Sequence, residues 1–113
     1  MAVSLQIQHS GFSDSEVSET VHSALRNEAG HALMRRDYYR GRCQAFETQY
    51  GMSSNEFMEK FESGLLGDES QWFEWYAVQR GYILWERRYR ILNGVTMCMP
   101  VTISRTCITS LGA

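Results

Sequence analysis

The stretch Tyr50-Gly-Met-Ser-Ser-Asn-Glu-Phe-Met-Glu-Lys-Phe-Glu-Ser-Gly-Leu-Leu-Gly-Asp-Glu-Ser-Gln-Trp-Phe-Glu-Trp-Tyr76 decides the fold of this chain. Ser53 is followed three residues later by Glu56, which is the spacing of a capping box at a helix start. Gly64 suits the position just past a helix end, where a left-handed backbone is common. The stretch therefore predicts a short helix from about Ser54 to Ser63, placed between two longer helices.

A third helix is predicted downstream, where Asp68 and Gln71 repeat the start signal. Its apolar residues are spaced alternately by three and four, a pattern typical of a helix that packs lengthwise on another helix. We expect Asn93-Gly94 to end it. The predicted seam is Trp75, Val78, Tyr82, Trp85, Tyr89 and Leu92. The residues expected beside the seam, widening it, are Phe73, Ala77, Leu84 and Ile91.

A long first helix is predicted upstream, starting at Ser13 with Glu16 as its capping-box partner. Its apolar residues have the same alternating spacing, interrupted once by the charged Arg36, so we expect one continuous helix. Gly30 and Gly41 each weaken it by about 1 kcal/mol relative to alanine, and a kink near either would be compatible with the pattern. Its predicted seam is Leu25, Ala29, Ala32, Arg36, Tyr39, Cys43, Phe46 and Tyr50.

The two ends of the chain have a different pattern. Val3, Leu5 and Ile7 alternate with polar residues, which predicts a short strand. Val95 to Thr109 is rich in β-branched residues and predicts one or two short strands or an irregular tail. The predicted fold is mostly α: a long antiparallel helical hairpin with a short intervening helix, a short N-terminal strand and a β-like C-terminal tail. Residues 1–95 form one helical domain, and 96–113 form a tail of unpredicted order.

Composition describes an ordinary soluble protein of 113 residues, with 43% hydrophobic and 21% charged residues. No apolar run approaches the length of a membrane span, and the first eleven residues lack a targeting signal. We expect a cytoplasmic protein with no membrane association. The three cysteines, Cys43, Cys98 and Cys107, are odd in number and lack metal-site spacing, so we expect free thiols.

The net charge of −2 conceals three blocks of opposite sign. Residues 26–46 contain five arginines and two acids, a balance of +3. Residues 47–74 contain seven acids and one lysine, a balance of −6, and residues 75–95 contain four arginines and one acid, again +3. If the two basic stretches pack side by side, an acidic end projects beyond them.

Candidate chemical sites are few. Two pairs have the i, i+3 spacing of helical metal ligands: Glu19 with His22, and Glu28 with His31. The pairs are nine residues apart, which places them on opposite faces of one helix, so they cannot share an ion. No serine or cysteine has an evident base and orienting acid. We therefore expect no enzyme activity, no cofactor and no metal.

The arginines could contact phosphates, but the chain lacks a recognisable nucleic-acid module and its pI is about 5.9. We favour solvated helix faces with salt bridges such as Asp37 to Arg40. A weak nucleic-acid contact remains an alternative. The arginines concerned are Arg35, Arg36, Arg40 and Arg42 of the first basic stretch, and Arg87, Arg88 and Arg90 of the second.

Five short motifs carry a family resemblance: Tyr50-Gly51-Met52-Ser53, Glu56-Phe57, Phe61-Glu62-Ser63-Gly64, Leu66-Gly67-Asp68 and Phe73-Glu74-Trp75. From about Ser13 to Val95 the chain resembles small helical prokaryotic antitoxins of toxin–antitoxin modules. The resemblance implies a cytoplasmic, non-enzymatic protein that neutralises a small toxin encoded beside it, often an endoribonuclease. Thr96 to Ala113 extends past the resemblance, and the N-terminal strand is not a complete DNA-binding domain of the kind that binds operators.

These observations favour a protein that binds and neutralises a cognate toxin by protein–protein contact. Aromatic anchors beside an acidic rim are typical of interfaces, and RNA-cleaving toxins need a basic groove that acids could occupy. We also expect homo-oligomers, because two long seams leave apolar surface uncovered. The alternatives are a structural helical oligomer or adaptor without a toxin, and a weak nucleic-acid binder. The predicted partner-binding residues are Glu56, Phe57, Glu59, Phe61, Glu62, Leu65, Asp68, Trp72, Phe73 and Tyr76.

Overall fold

The computed structural model describes residues 5–9, 11–98 and 101–104. Their elements, in chain order, are β1 (Leu5–Gln8), α1 (Asp14–Tyr50), α2 (Ser54–Glu62), α3 (Ser70–Cys98) and β2 (Val101–Ser104). The predicted mostly α fold is confirmed. In the described part of the chain, no helix is long and apolar enough to cross a membrane.

The chain forms two compact units. One unit comprises Gly30–Tyr89, and the other comprises Met1–Ala29 together with Arg90–Ala113. Since α1 and α3 each pass through both units, each helix contributes one part to each. The prediction of a single domain over residues 1–95 stays a prediction.

Within the unit Gly30–Tyr89, α1 and α3 pack antiparallel. Contacts between them pair rising α1 numbers with falling α3 numbers: Arg36 with Glu86, then Cys43 with Gln79, then Phe46 with Trp75. The predicted seams therefore face each other. Because residues 35–46 lie along residues 75–88, the two basic stretches are side by side, and the acidic segment forms the connection at one end.

Gly81 allows α3 to approach α1 closely. A Cβ built on Gly81 would lie 2.7 Å from Cε1 of the Tyr39 ring, closer than a carbon contact allows. The absence of a side chain at Gly81 thus makes room for the tyrosine of the facing helix. Gly41, also inside a helix, has no neighbouring atom within 4 Å of such a Cβ.

The other unit contains the start of α1 and the two strands. The Ser13 side chain accepts a hydrogen bond from the Glu16 amide at 3.1 Å, which confirms the predicted cap. Buried His9 places Nε2 2.9 Å from Asp14 Oδ1 and so connects the residue after β1 to the first turn of α1. Strands β1 and β2 pair in parallel, from Leu5 with Val101 to Gln8 with Ser104.

The ends of the chain agree only partly with expectation. The predicted N-terminal strand is present as Leu5–Gln8, and β2 gives the tail its β character. Residues 1–4, 10, 99–100 and 105–113, which include Val3 and Cys107, lie outside the described residues. The helix end predicted at Asn93-Gly94 is wrong, because α3 continues to Cys98. It ends two residues before Pro100, and a proline disfavours helix in the residue that precedes it.

The helix boundaries agree with expectation for α1, which is one continuous helix, and differ for the start of α3. The α1 helix runs unbroken past both Gly30 and Gly41, because tertiary packing outweighs a propensity cost of about 1 kcal/mol each. The start of α3 is at Ser70 and does not use the predicted Asp68 and Gln71 box. The Gln71 side chain instead donates to the Glu69 carboxylate.

The residues expected to widen the α3 seam do not do so. Spacing places them beside the seam, but in the structure each of them is exposed. The exposed residues are Phe73, Ala77, Leu84 and Ile91. The prediction that they widen the buried seam is wrong, and they leave an apolar surface on α3.

We predict that Gly81→Ala destabilises the protein although alanine favours helix. The new methyl group would displace the Tyr39 ring, and overpacking of this kind costs about 1–3 kcal/mol. Gly41→Ala is the matched control, since it fills open space and should stabilise by about 0.5–1 kcal/mol. Urea unfolding followed by circular dichroism measures both. Equal stabilisation by the two substitutions would contradict the close approach at Gly81.

Candidate partner-binding site

Hydrogen bonds donated by backbone amides fix both ends of α2. The Glu56 amide donates to Ser53 Oγ at 3.1 Å, which satisfies a free donor of the first turn. At the other end, the Leu65 amide donates to the Lys60 carbonyl and the Gly64 amide to the Phe61 carbonyl, and Gly64 has φ of 80°. This is a Schellman motif, so the predicted roles of Ser53 and Gly64 are confirmed. The position of Leu65 is thereby defined by backbone geometry.

Stacked aromatic rings attach α2 to the hairpin. The rings of Phe57 and Trp75 lie 4.1 Å apart at 6°, and both side chains have 0% exposure. Trp75 also stacks on Phe46 of α1, at 5.4 Å and 9°. One tryptophan of α3 therefore contacts both other helices, which packs the short α2 against the longer pair.

Buried polar groups satisfy one another beneath this stack. The Trp75 indole N–H donates to Ser54 Oγ at 3.1 Å, and the Ser54 amide donates to Glu47 Oε2 at 2.8 Å. One turn before Glu47 in α1, the Cys43 thiol donates a hydrogen bond to Gln79 Oε1 of α3 at 3.2 Å. A buried tryptophan needs such a partner for its N–H, and Ser54 provides it from the first turn of α2. These bonds fix the rotation of α2 about its own axis.

The Cys43 thiol is free and buried. Burial raises the pKa of Cys43; a hydrogen bond with Ser54 opposes this shift, and the charge of Glu47 adds to it. The neutral thiol is therefore favoured, whereas a nucleophilic cysteine needs a lowered pKa. The thiol borders a cleft of about 290 Å³ that Glu47 and Ser54 also line.

A second aromatic cluster lies nearer the surface. Phe61 of α2 contacts Phe73 edge-to-face at 5.3 Å and stacks on Tyr76 at 4.9 Å. Phe61 and Tyr76 are half-buried, whereas Phe73 is 51% exposed. Leu65, just after α2, is 75% exposed. The end of the hairpin thus presents apolar side chains that rest on packed rings.

The segment that carries these apolar side chains is also rich in exposed carboxylates. Glu56 lies 3.8 Å from Lys60 as an exposed i, i+4 pair, and Glu74 lies 3.6 Å from Arg42. Each is a surface pair worth about 0–1 kcal/mol, so both acids can exchange partners readily. The exposed acids of residues 56–69 are Glu56, Glu59, Glu62, Asp68 and Glu69.

The structure divides the ten predicted partner-binding residues into two groups. Phe57 is fully buried, and it supports the surface instead of forming part of it. Trp72 is half-buried against Tyr50 at 4.7 Å, and its buried Nε1 has no hydrogen-bond partner among the described residues. The other eight lie at the surface or directly beneath it: Glu56, Glu59, Phe61, Glu62, Leu65, Asp68, Phe73 and Tyr76. We define these eight residues as the acidic end surface.

Three arginines of the long helices contact aromatic rings or a carboxylate of the hairpin. The guanidinium groups of Arg35 and Arg88 lie 4.6 and 4.9 Å from the centre of the Trp85 ring. Arg36 donates to Glu86 at 3.1 Å and lies over the Tyr89 ring. The charged interruption in the α1 seam is therefore paired across the hairpin.

The predicted salt bridge from Asp37 to Arg40 is replaced by another. The Arg36 guanidinium contacts Asp37 at 2.9 Å while also reaching Glu86. Although burial lowers it, the pKa of Arg36 is raised overall by hydrogen bonds and charge from these two carboxylates. An arginine held in this way is less available to a phosphate.

The histidines have local partners. His22 Nδ1 lies 2.8 Å from the Ser18 carbonyl oxygen, one turn earlier in α1. Within the described residues, no group of three or more histidine, cysteine, aspartate or glutamate side chains could hold a metal ion.

Sequence reasoning did not identify the contact of Ser54 with Trp75 or the role of Glu47. Ser54 stands beside the cap residue Ser53, and the pattern gives no sign that its hydroxyl points inward. The sequence indicates Glu47 only as one of the seven acids of residues 47–74. The one available signal was that a tryptophan on a buried seam needs an acceptor for its N–H.

Comparison with known proteins adds no assignment: no family model, no curated protein and no solved structure matches this chain.

We predict that Phe57→Ala and Phe73→Ala differ sharply in their effect on stability. Phe57→Ala opens a cavity beneath Trp75 and should cost about 3–5 kcal/mol. Phe73→Ala removes a half-exposed ring with one ring contact and should cost less than about 1 kcal/mol. Chemical unfolding measures both free energies. A large cost for Phe73→Ala would show that this residue belongs to the core.

Proposed function

We propose that the protein binds a cationic protein partner through the acidic end surface and that this contact neutralises a small toxin. The observation that carries the proposal is that Leu65 and Phe73 are exposed in the same segment as five exposed carboxylates, those of Glu56, Glu59, Glu62, Asp68 and Glu69. An apolar centre with a charged rim is the usual anatomy of a specific protein interface.

Charge supports a basic partner. Residues 47–74 carry a balance of −6, and the basic stretches that flank them in sequence pack along each other away from this end. A surface of one sign attracts an oppositely charged protein and speeds the encounter. Enzymes that cleave RNA need a basic groove for phosphates, so an acidic surface can occupy the same groove and exclude the substrate.

Rigidity supports the same proposal. The Schellman motif fixes Leu65, and Phe61 supports Phe73 from below. Because the backbone at Leu65 and the ring of Phe73 are held before binding, less conformational entropy is lost when the complex forms. Large apolar side chains in such positions slow dissociation, whereas the acids mainly raise the association rate.

The resemblance to small helical antitoxins supplies the biological class. It implies that the partner is a small toxin encoded beside this chain, a class of protein that is often an endoribonuclease. Inhibition by occupation of a groove requires no catalytic residue in the inhibitor, so the proposed role is non-enzymatic.

The test is co-expression with the small basic protein encoded beside this chain, scored by growth and by co-purification. We predict that Leu65→Ala with Phe73→Ala weakens binding at least about tenfold and removes growth protection, since anchor residues cost about 1–2 kcal/mol or more each. Glu59→Lys with Glu62→Lys should slow association and reduce its dependence on salt.

Met34→Ala is the matched apolar control, because Met34 is 70% exposed on α1 and lies outside the acidic end surface. It should leave growth protection and affinity unchanged. Circular dichroism establishes that each variant is folded. Full neutralisation by the folded Leu65, Phe73 double variant would remove these residues from the interface and contradict the proposal.

A further inference from the structure

Within the unit Gly30–Tyr89, all three helices meet around a cleft of about 290 Å³, which we call the polar cleft. The α1 helix contributes Arg40 and Glu47, the start of α2 contributes Ser54, and α3 contributes Gln79. The cleft shares no residue with the acidic end surface. Ligand pockets in proteins hold roughly 300–1,000 Å³, so the polar cleft suits a molecule of small metabolite size.

One side chain of the polar cleft has an unused hydrogen-bonding group although it is almost fully buried. Gln79 has 6% exposure, and its Oε1 accepts a hydrogen bond from the Cys43 thiol at 3.2 Å. The amide nitrogen carries two N–H donors, and neither has a partner in the described part of the chain. If the amide were turned around, its oxygen would be the free end instead. In either orientation, one end of a buried amide is left for an occupant of the cleft.

Opposite charges lie on the two sides of Gln79. Arg40 and Glu47 are seven residues apart on one face of α1, about 10 Å along the helix axis, and Cys43 lies between them. Arg40 is exposed and forms no ion pair with any described residue. Glu47 uses Oε2 to accept the Ser54 amide at 2.8 Å, which leaves Oε1 for another donor. The polar cleft therefore has a cationic end and an anionic end.

This charge pattern limits the class of ligand. Glu47 repels a purely anionic ligand such as a phosphate, and Arg40 repels a simple cation. A zwitterion complements both ends. Because the two charged residues are separated by two turns of α1, an aliphatic chain must separate the carboxylate of the ligand from its ammonium group. Glycine carries both charges on neighbouring carbons, so it can pair with only one end.

We propose that the polar cleft binds a small linear zwitterion, in which an aliphatic chain joins a carboxylate to an ammonium group. The carboxylate accepts hydrogen bonds from Arg40 and the Gln79 amide, and the ammonium group donates to Glu47 Oε1. Charge-assisted hydrogen bonds of this kind are about twice as strong as neutral ones. The hydrogen bond from the Ser54 amide holds the Glu47 carboxylate in place before the ligand arrives. The site does not depend on the proposed function, since no partner protein takes part.

Amide-detected NMR of the full chain, titrated with ε-aminocaproate, tests the proposal. We expect chemical-shift changes at the Gln79 side-chain amide and at backbone amides of residues 40–47 and 53–55. Caproate lacks the ammonium group and hexylamine lacks the carboxylate, so each should bind at least about tenfold more weakly. Glycine should also bind at least about tenfold more weakly, because it loses one of the two charge-assisted contacts. These comparisons use the wild-type protein and need no substitution.

Substitutions in the polar cleft provide an independent test. Arg40→Gln and Glu47→Gln should each weaken binding of ε-aminocaproate by about tenfold or more. Glutamine at position 47 keeps an acceptor for the Ser54 amide, and circular dichroism with urea unfolding checks that each variant is folded. Arg87→Gln is the matched control, because Arg87 is exposed and lies outside the cleft; it should leave the affinity unchanged.

Four results would overturn the proposal. They are the absence of shift changes at millimolar ε-aminocaproate, shift changes confined to residues outside the polar cleft, equal affinity for caproate, hexylamine or glycine, and undiminished binding by the folded Arg40→Gln and Glu47→Gln variants.

Discussion

The structure of the unit Gly30–Tyr89 depends on the stack of Trp75 against Phe57. A nine-residue helix is too short to persist alone, so α2 exists because its aromatic face is buried against α3. The 4.1 Å stack supplies the burial, and the hydrogen bond from the indole to Ser54 fixes the rotation of the helix. Without this contact, neither the Schellman turn nor the position of Leu65 would be defined.

The antiparallel hairpin determines where the charged segments of this unit lie. Since α1 and α3 run in opposite directions, their arginine-rich stretches lie together and stack on Trp85 or pair with Glu86. The acidic connection is left at the end of the hairpin, where solvent screens the repulsion among its carboxylates. The arrangement that stabilises the hairpin thus also concentrates negative charge beside exposed Phe73.

Spacing and cap residues were sufficient to predict three helices, their seams and the ends of α2. They do not identify which residues beside a seam are covered, so the spacing predicts that Leu84 and Ile91 widen the seam although both are exposed. The pair Asn93-Gly94 predicts the end of α3, but the helix continues to Cys98. The inward hydroxyl of Ser54 and the close approach at Gly81 depend on three-dimensional packing, which spacing does not encode. The acidic end surface was predicted as a segment, but its division into supporting and exposed residues was not.

The measurement that tests the central claim most directly is hydrogen–deuterium exchange of the chain, free and with the proposed cationic partner protein. Binding through the acidic end surface predicts added protection of backbone amides in residues 54–76, with little change in residues 30–45 of α1. Protection confined to α1, or the absence of a complex, would contradict the account.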